Sequence, residues 1–470
     1  MRAAVFIDQN QGFLNFVREG AFEALERNCE VCYVVPSNSP KRVSVDVGEM
    51  LAGRLKVIVD HDWSRFERWQ ELSMIEQVRP FRGPYYRRLR QMRWMPLAMK
   101  EKIKFGVLSF PGVNAVYRHR VLRAMSRSSD GAMAGFLRSW RPDIVVHSSA
   151  LNGAYINDLT QECKRADIPL LVLMNSWDNP STKSITAIPH LNLAVWGRQT
   201  FEHAKRYMRL PDARISILGA PQLERYRLTP RQSRADFRDQ QGLRPSSRIV
   251  VFAGSSILGS DYKYLDLLEA AVDRGLLGDA QVLYRPYPHA AAAGDLKRIV
   301  ERSWVHVRMQ RELLHRVDQQ ISGEATRGHE DLSGKHEVLA YADVVVSPLS
   351  TILVEAMLCG VQIVCFVPRE DTDPLFLPRN APLVHFEDVL RSPAVIVADE
   401  ASSLVPSVVA ALERTSEEGN AARLRQAASQ IVADLPGNYA GRLLELCRKL
   451  VSERSSRATK ALSGLVDEAC

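Results

Sequence analysis

The stretch from Tyr341 to Phe366, YADVVVSPLSTILVEAMLCGVQIVCF, admits few folds. Two short apolar runs, Ala342 to Ser347 and Val361 to Phe366, have the length and β-branched content of buried strands. Between them a tight loop, Pro348-Leu349-Ser350-Thr351, leads into a helical stretch that Gly360 ends. Ser350 or Thr351 is the natural N-cap, and Glu355 is expected in the first turn. Strand, loop, helix and strand make one unit of a parallel sheet. The loop then falls at the carboxyl end of a strand, where open α/β sheets bind ligands. Helix-start N–H groups and two hydroxyls suit a phosphate. Glu355 suits a pair of ribose hydroxyls.

This run resembles the nucleotide-binding unit of GT-B-type glycosyltransferases and their relatives, the glycerophosphotransferases that use CDP-glycerol, the Kdo transferases and the UDP-N-acetylglucosamine 2-epimerases. Asp343, Ser350, Thr351, Glu355, Ala356 and Gly360 match the family's phrase, while Gln362 stands where a Pro is usual. The resemblance implies that this segment holds the diphosphate and ribose of an activated donor.

A chain of 470 residues with 46% apolar content is long enough for two α/β domains, each with a full core. The expected fold class is α/β, GT-B: two doubly wound Rossmann-like domains facing across a cleft, with a basic helical insertion in the first. An N-terminal acceptor domain is expected over residues 1–227, with the insertion at about 63–134. A donor domain is expected over 248–435, with a return helix and a loosely held tail over 436–470. The chain opens β-α-β: a strand over Arg2 to Asp8, a helix over Phe16 to Arg27, and a strand over Val31 to Pro36. In the second domain Val305 to Met309 reads as a strand, the charged region from there to about Gly334 as irregular, and Leu383 to Phe386 as a short strand.

Candidate site residues cluster at strand ends. The loop Asp8-Gln9-Asn10-Gln11-Gly12 follows the first strand. Asp8 is a candidate base, and the resemblance implies that Asn10 lines the acceptor side. The loop from Asn175 to Lys183, NSWDNPSTK, follows another buried strand and resembles a "WDN-x-x-x-K" loop of some bacterial surface-polysaccharide glycosyltransferases. There Asp178 is a candidate to take a proton from a sugar hydroxyl. Trp177 is a candidate to stack on a sugar, with Asn179 and Lys183 as acceptor contacts. In the second half, Ser255 and Ser256 follow Gly254 after a buried strand, where small residues allow close approach to a phosphate. Arg285-Pro286-Tyr287-Pro288-His289 resembles the family's "R-P-H-P" phrase and implies nucleotide or phosphate contacts from Arg285 and His289. Tyr287 occupies the usual His position.

Other chemistries lack their sequence signals. No GxGxxG, Walker A, HExxH or GxSxG sequence occurs. Asp371-Thr372-Asp373 is a formal DxD but lies in a Pro-rich loop, so metal-independent transfer is expected, with no cofactor beyond the nucleotide-sugar substrate. Seven cysteines form no framework; Cys29 and Cys32 come closest to a pair, and no second pair follows. A reducing cytoplasm is the expected setting. No apolar stretch approaches the ~20 residues a membrane span needs.

The net charge of +8 is unevenly placed. Between Arg65 and Arg127 fifteen Lys and Arg stand against four Glu. The densest part, Arg79 to Lys104, interleaves Tyr85, Tyr86, Met92, Trp94 and Met95 with the basic residues. Such a segment fits an anionic membrane surface at the inner face of the cytoplasmic membrane, or a polyanionic acceptor. Nucleic acid finds no companion motif.

The resulting expectation is a glycosyltransferase that moves a sugar from a nucleotide-sugar to a surface-polysaccharide or lipid-linked glycan acceptor. The alternatives are a CDP-glycerol- or CDP-ribitol-type polyol-phosphate transferase, and a non-catalytic nucleotide-sugar-binding scaffold of a glycan assembly complex.

Overall fold

The computed structural model describes residues 1–36, 46–78, 97–254, 260–287, 293–322, 334–372 and 383–467. The chain divides into two compact units, Met1–Gln222 with Val432–Cys470, and Leu223–Ile431.

Among the described residues the first unit holds seven strands: β1 (Arg2–Ile7), β2 (Glu30–Val35), β3 (Lys56–Ile58), β4 (Ile144–Ser149), β5 (Leu170–Met174), β6 (Asn192–Val195) and β7 (Ile215–Ile217). They run parallel in the order β3-β2-β1-β4-β5-β6-β7. Every residue from Ala3 to Ile7 is fully buried, as a central parallel strand covered on both faces requires. The C-terminal helix, Tyr439–Asp467, returns to this unit. Its Tyr439, Leu443, Leu444 and Cys447 pack into the core formed by Val5, Ile7, Phe16, Phe22 and Tyr33. The residues from 454 to 467, expected within a loosely held tail, continue that helix. They are mostly good helix formers, and no Pro interrupts them.

The second unit holds six strands among its described residues: β8 (Ile249–Ala253), β9 (Gln281–Arg285), β10 (Val307–Met309), β11 (Val344–Ser347), β12 (Gln362–Phe366) and β13 (Val395–Ala398). They are again parallel, in the order β10-β9-β8-β11-β12-β13.

Several local expectations are corrected. The helix expected over Phe16 to Arg27 starts earlier, at Asn10, and winds wide over Phe13–Val17, where Arg18 N–H reaches back to Phe13 O at 2.9 Å. Gly20, at φ +68°, breaks it before Glu23–Asn28. Leu383 to Phe386 is no strand; Val384–Phe386 is a tight 3₁₀ turn, with Phe386 N–H donating to Leu383 O at 2.9 Å. Part of the segment read as irregular is a helix, Leu314–Ser322.

The basic insertion between β3 and β4 is helical where described: Trp63–Val78, Met99–Leu108 and Pro111–Arg127. Trp69, Leu72, Met125 and Ala187 form its buried seam, with Tyr117, Val121, Leu122 and Ile188 against them. Of the stretch Arg79 to Lys104, residues 79–96 lie outside the described residues. No helix among the described residues is long and apolar enough to cross a membrane.

Candidate functional site

Each sheet has one topological switch point, where chain order reverses and neighbouring loops diverge. In the second unit it lies between β8 and β11. β11 ends in Ser347, and the extended Ser350 (φ −146°) caps the helix Thr351–Cys359, its hydroxyl accepting from Ile352 N–H at 3.4 Å. Gly360, at φ +79°, closes that helix in the left-handed conformation. Ser350 and Thr351 are both partly exposed, at the positive end of the helix dipole.

Glu355 is not in the first turn but one turn further in, and it is buried. Its carboxylate pairs with Lys335 Nζ, at 2.8 Å to Oε2 and 3.0 Å to Oε1. Lys335 is itself buried and opens the helix Lys335–Tyr341 just after Gly334, whose φ is +64°. Sequence reasoning missed Lys335, because it lies in a charged stretch with no motif. A lysine immediately after a glycine and before a helical run was the only signal.

Across the switch point, β8 runs into Gly254. A Cβ there would stand 2.4 Å from Asp261 Oδ2 and 3.1 Å from the backbone N of Tyr287, so the approach requires glycine. Tyr284 hydroxyl donates to Asp261 Oδ2 at 2.8 Å. Ser255, Ser256 and His289 lie outside the described residues. Arg285 ends β9, buried, and donates to Gln310 Oε1 at 2.5 Å; Gln310 follows β10 and is also buried.

Two motif residues have structural duties. Asp343 sits at the amino end of β11, the sheet edge opposite the loop, where it accepts from Ile249 N–H at 2.7 Å and faces Arg234 at 3.3 Å. Asp371 of the formal DxD accepts from Ser260 N–H at 3.1 Å and from the Tyr264 hydroxyl at 3.2 Å. Burial and then Asp371 push the Tyr264 phenol well above its ordinary value. Asp373 lies outside the described residues.

In the first unit the switch point lies between β1 and β4. Asp8 follows β1 and is 1% exposed. Its Oδ2 accepts from Tyr155 N–H at 3.4 Å, and its Oδ1 meets no hydrogen-bond partner among the described residues. A Cβ on Gly153 would stand 2.0 Å from Asp8 Oδ2, and one on Gly12 would stand 2.4 Å from Ser148 Oγ. Two further buried groups stand on the adjoining strands: Ser148, paired in register with Ile7, and Asn175, just after β5. Neither the Ser148 hydroxyl nor the Asn175 amide has a partner among the described residues. Buried polar groups are almost always hydrogen-bonded, so each of these atoms, at the carboxyl end of its strand, calls for a water or a polar ligand group. Asn10 opens the helical turn beside Asp8 and is partly exposed.

The NSWDNPSTK loop differs from expectation. Trp177 is 2% exposed, so its ring anchors the loop and is not presented for stacking on a sugar. Asn179 is fully buried; it accepts from Ser176 N–H at 2.8 Å and donates to Asp178 at 3.0 Å. The Asp178 carboxylate also takes the Thr182 hydroxyl at 3.0 Å and Lys183 Nζ at 2.9 Å. Its acceptor sites are thus filled from within its own loop. Lys183 is the exposed member of the set.

Among the described residues one His/Asp group has ligand atoms converging within 4.8 Å: His61, Asp130 and Asp158, all buried. Asp158 already binds the Arg65 guanidinium, at 2.9 and 2.6 Å, and Trp69 Nε1 at 3.0 Å. Burial raises the Asp130 pKa, but His61 and the N–H groups of Met133 and Asp62 outweigh it and hold Asp130 below the usual carboxylate range. With Arg65 supplying the positive charge, this group reads as a network tying the insertion's first helix to the helix Ile156–Arg165 that follows β4.

No family model matches the chain, and no curated protein matches it. Solved structures do. The co-structure of MnaA from S. aureus with UDP aligns at TM-score 0.50 and 9% identity, covering 94% of each chain. MurG from Acinetobacter baumannii aligns at TM-score 0.47 and 12% identity over 96% of this chain and 100% of that one. HepE from Anabaena in complex with UDP aligns at 0.47 and 11%, with the same coverage. What the chain shares with MnaA is its architecture, and that architecture, a parallel α/β sheet in each of two units, is the GT-B fold.

Proposed function

We propose that this chain is a glycosyltransferase that uses a nucleotide-sugar donor, needs no metal, and glycosylates a surface-polysaccharide or lipid-linked glycan acceptor. The second unit would take the donor. Ser350, Thr351 and the helix start behind them suit its phosphates, with Ser255, Ser256 and His289 as further candidates. Glu355 would share its carboxylate between Lys335 and the ribose. Arg285 would supply positive charge to the leaving phosphate, the role a metal plays elsewhere. The MnaA structure of the same fold is described with UDP, which makes uridine nucleotides the first donors to test.

The observation that carries the reading is Asp8 at the first unit's switch point, buried at the end of β1 with its Oδ1 unpartnered among the described residues. A sugar hydroxyl brought to it would give up its proton to Asp8 as the new glycosidic bond forms. Asp178 is then a positioning residue that holds Lys183 and the loop.

Calorimetry of the purified chain against UDP, CMP, CDP and GDP tests the donor half. One nucleotide should bind, and Ser350→Ala should weaken it. No binding at millimolar concentration would sink the enzyme assignment. Binding without turnover on any donor would favour the scaffold reading.

A further inference from the structure

The two insertion helices, Met99–Leu108 and Pro111–Arg127, carry an apolar ridge that the unit's core does not use. Met99, Ile103 and Val107 recur every four residues and so share one helix face; they are 70%, 62% and 51% exposed. Phe110 stands in the turn at 64%, and Val113 and Val116 extend the ridge along the second helix at 43% and 54%. Six large apolar side chains in a row exceed the scattered exposure expected of a soluble surface. Packing does not account for them. The buried seam of the hairpin is made by its far half, through Tyr117, Val121, Leu122 and Met125 against Trp69 and Leu72.

The charges around the ridge name its occupant. From Leu97 to Arg127 there are seven Lys and Arg and a single acid, Glu101. Glu101 is turned inward to the backbone, accepting from Ala98 N–H at 3.1 Å. Lys100 and Lys104 flank the first helix's ridge, and Arg120, Arg123 and Arg127 continue the face of Val113 and Val116 along the second. All five are exposed, and Lys104 also pairs with Glu71 at 2.7 Å. An apolar tip backed by a collar of cations matches a bilayer with anionic headgroups, apolar groups entering the acyl boundary and cations meeting phosphates.

We propose that the Met99–Val116 hairpin tip is a membrane-docking element that inserts into the interface of an anionic lipid bilayer. The proposal does not depend on the sugar-transfer reading. Its test is co-sedimentation of the full chain with vesicles of phosphatidylglycerol and phosphatidylcholine, against phosphatidylcholine alone. Binding should favour the anionic vesicles by about tenfold or more, and the triple variant Ile103→Asp/Val107→Asp/Phe110→Asp should lose about tenfold. Because these positions are exposed, its circular dichroism and its nucleotide titration should match the parent. Arg120→Glu/Arg123→Glu should weaken binding to anionic vesicles and leave the weak binding to neutral ones unchanged. Equal binding to both vesicle types, or a triple variant that binds like the parent, would overturn the proposal. So would sedimentation equilibrium showing a self-associated parent that the triple variant dissociates, with no vesicle binding; the ridge would then be an interface between copies.

Discussion

Lys335 Nζ lies 2.8 Å from Glu355 Oε2, and both side chains are buried. The two residues come from the helices before and after β11, so the pair clamps the candidate donor loop from behind. Removing one partner strands a charge in the core. Lys335→Met should therefore cost about 3–5 kcal/mol in urea unfolding. The double variant Lys335→Met/Glu355→Leu should recover much of that stability, since apolar replacement of a buried pair is often neutral. Nucleotide affinity should stay low in both. If the double variant binds nucleotide like the parent, the pair is structural only.

Asp8 and Asp178 are separated by their partners. Asp8→Asn keeps the shape but removes the base, so turnover should fall by about 100-fold to 10,000-fold with nucleotide binding unchanged. Asp178→Asn should instead lower the melting temperature by loosening Lys183 and Thr182, with less than about tenfold loss of turnover. Steady-state rates and thermal melts of both variants decide the assignment; the reverse ranking would make Asp178 the base.

Gly153 lets the β4 loop close over Asp8. In Gly153→Ala the new methyl would overlap the carboxylate, which sits 2.0 Å from the ideal Cβ position. Strain of about 1–3 kcal/mol is expected, together with a loss of turnover as Asp8 is displaced. A variant as stable and active as the parent would mean that Asp8 moves freely and is not held for chemistry.

Burial pushes the Cys32 thiol up to about 11, and the Cys359 and Cys365 thiols up to about 12. At pH 8 these three should ignore a disulfide reagent such as DTNB in the native chain and react fully in guanidinium. The linkage has a definite sign. The folded state holds these protons more tightly than the unfolded chain, so their contribution is complete below the unfolded thiol value of ~8.5. It is lost as pH climbs from there toward 11 and 12. Denaturant midpoints measured from pH 8 to 10 should fall.

The strands were legible wherever both sheet faces are covered. Runs such as AAVFI in β1, IVVFA in β8 and QIVCF in β12 leave little choice but a buried parallel strand. Ser350 as cap and Gly360 as stop were legible because their backbone conformations favour those residue types. Lys335 was not, since a buried lysine looks like any surface lysine until its carboxylate partner is known. Trp177 misled for the converse reason: aromatic rings serve sugars and cores alike, and here the ring is buried. Leu383 to Phe386 read as a strand because Leu383, Val384 and Phe386 fit either conformation.

The helix Tyr439–Asp467 belongs to the unit that begins at Met1. A ribosome therefore finishes the whole second unit before it supplies the piece that closes the first. During synthesis Phe16, Phe22 and Tyr33 wait with one side open to solvent, the side that Tyr439 and Leu443 will later cover. A premature stop near residue 435 would remove a wall of the first-made domain, and such a nascent chain is a natural client for chaperones.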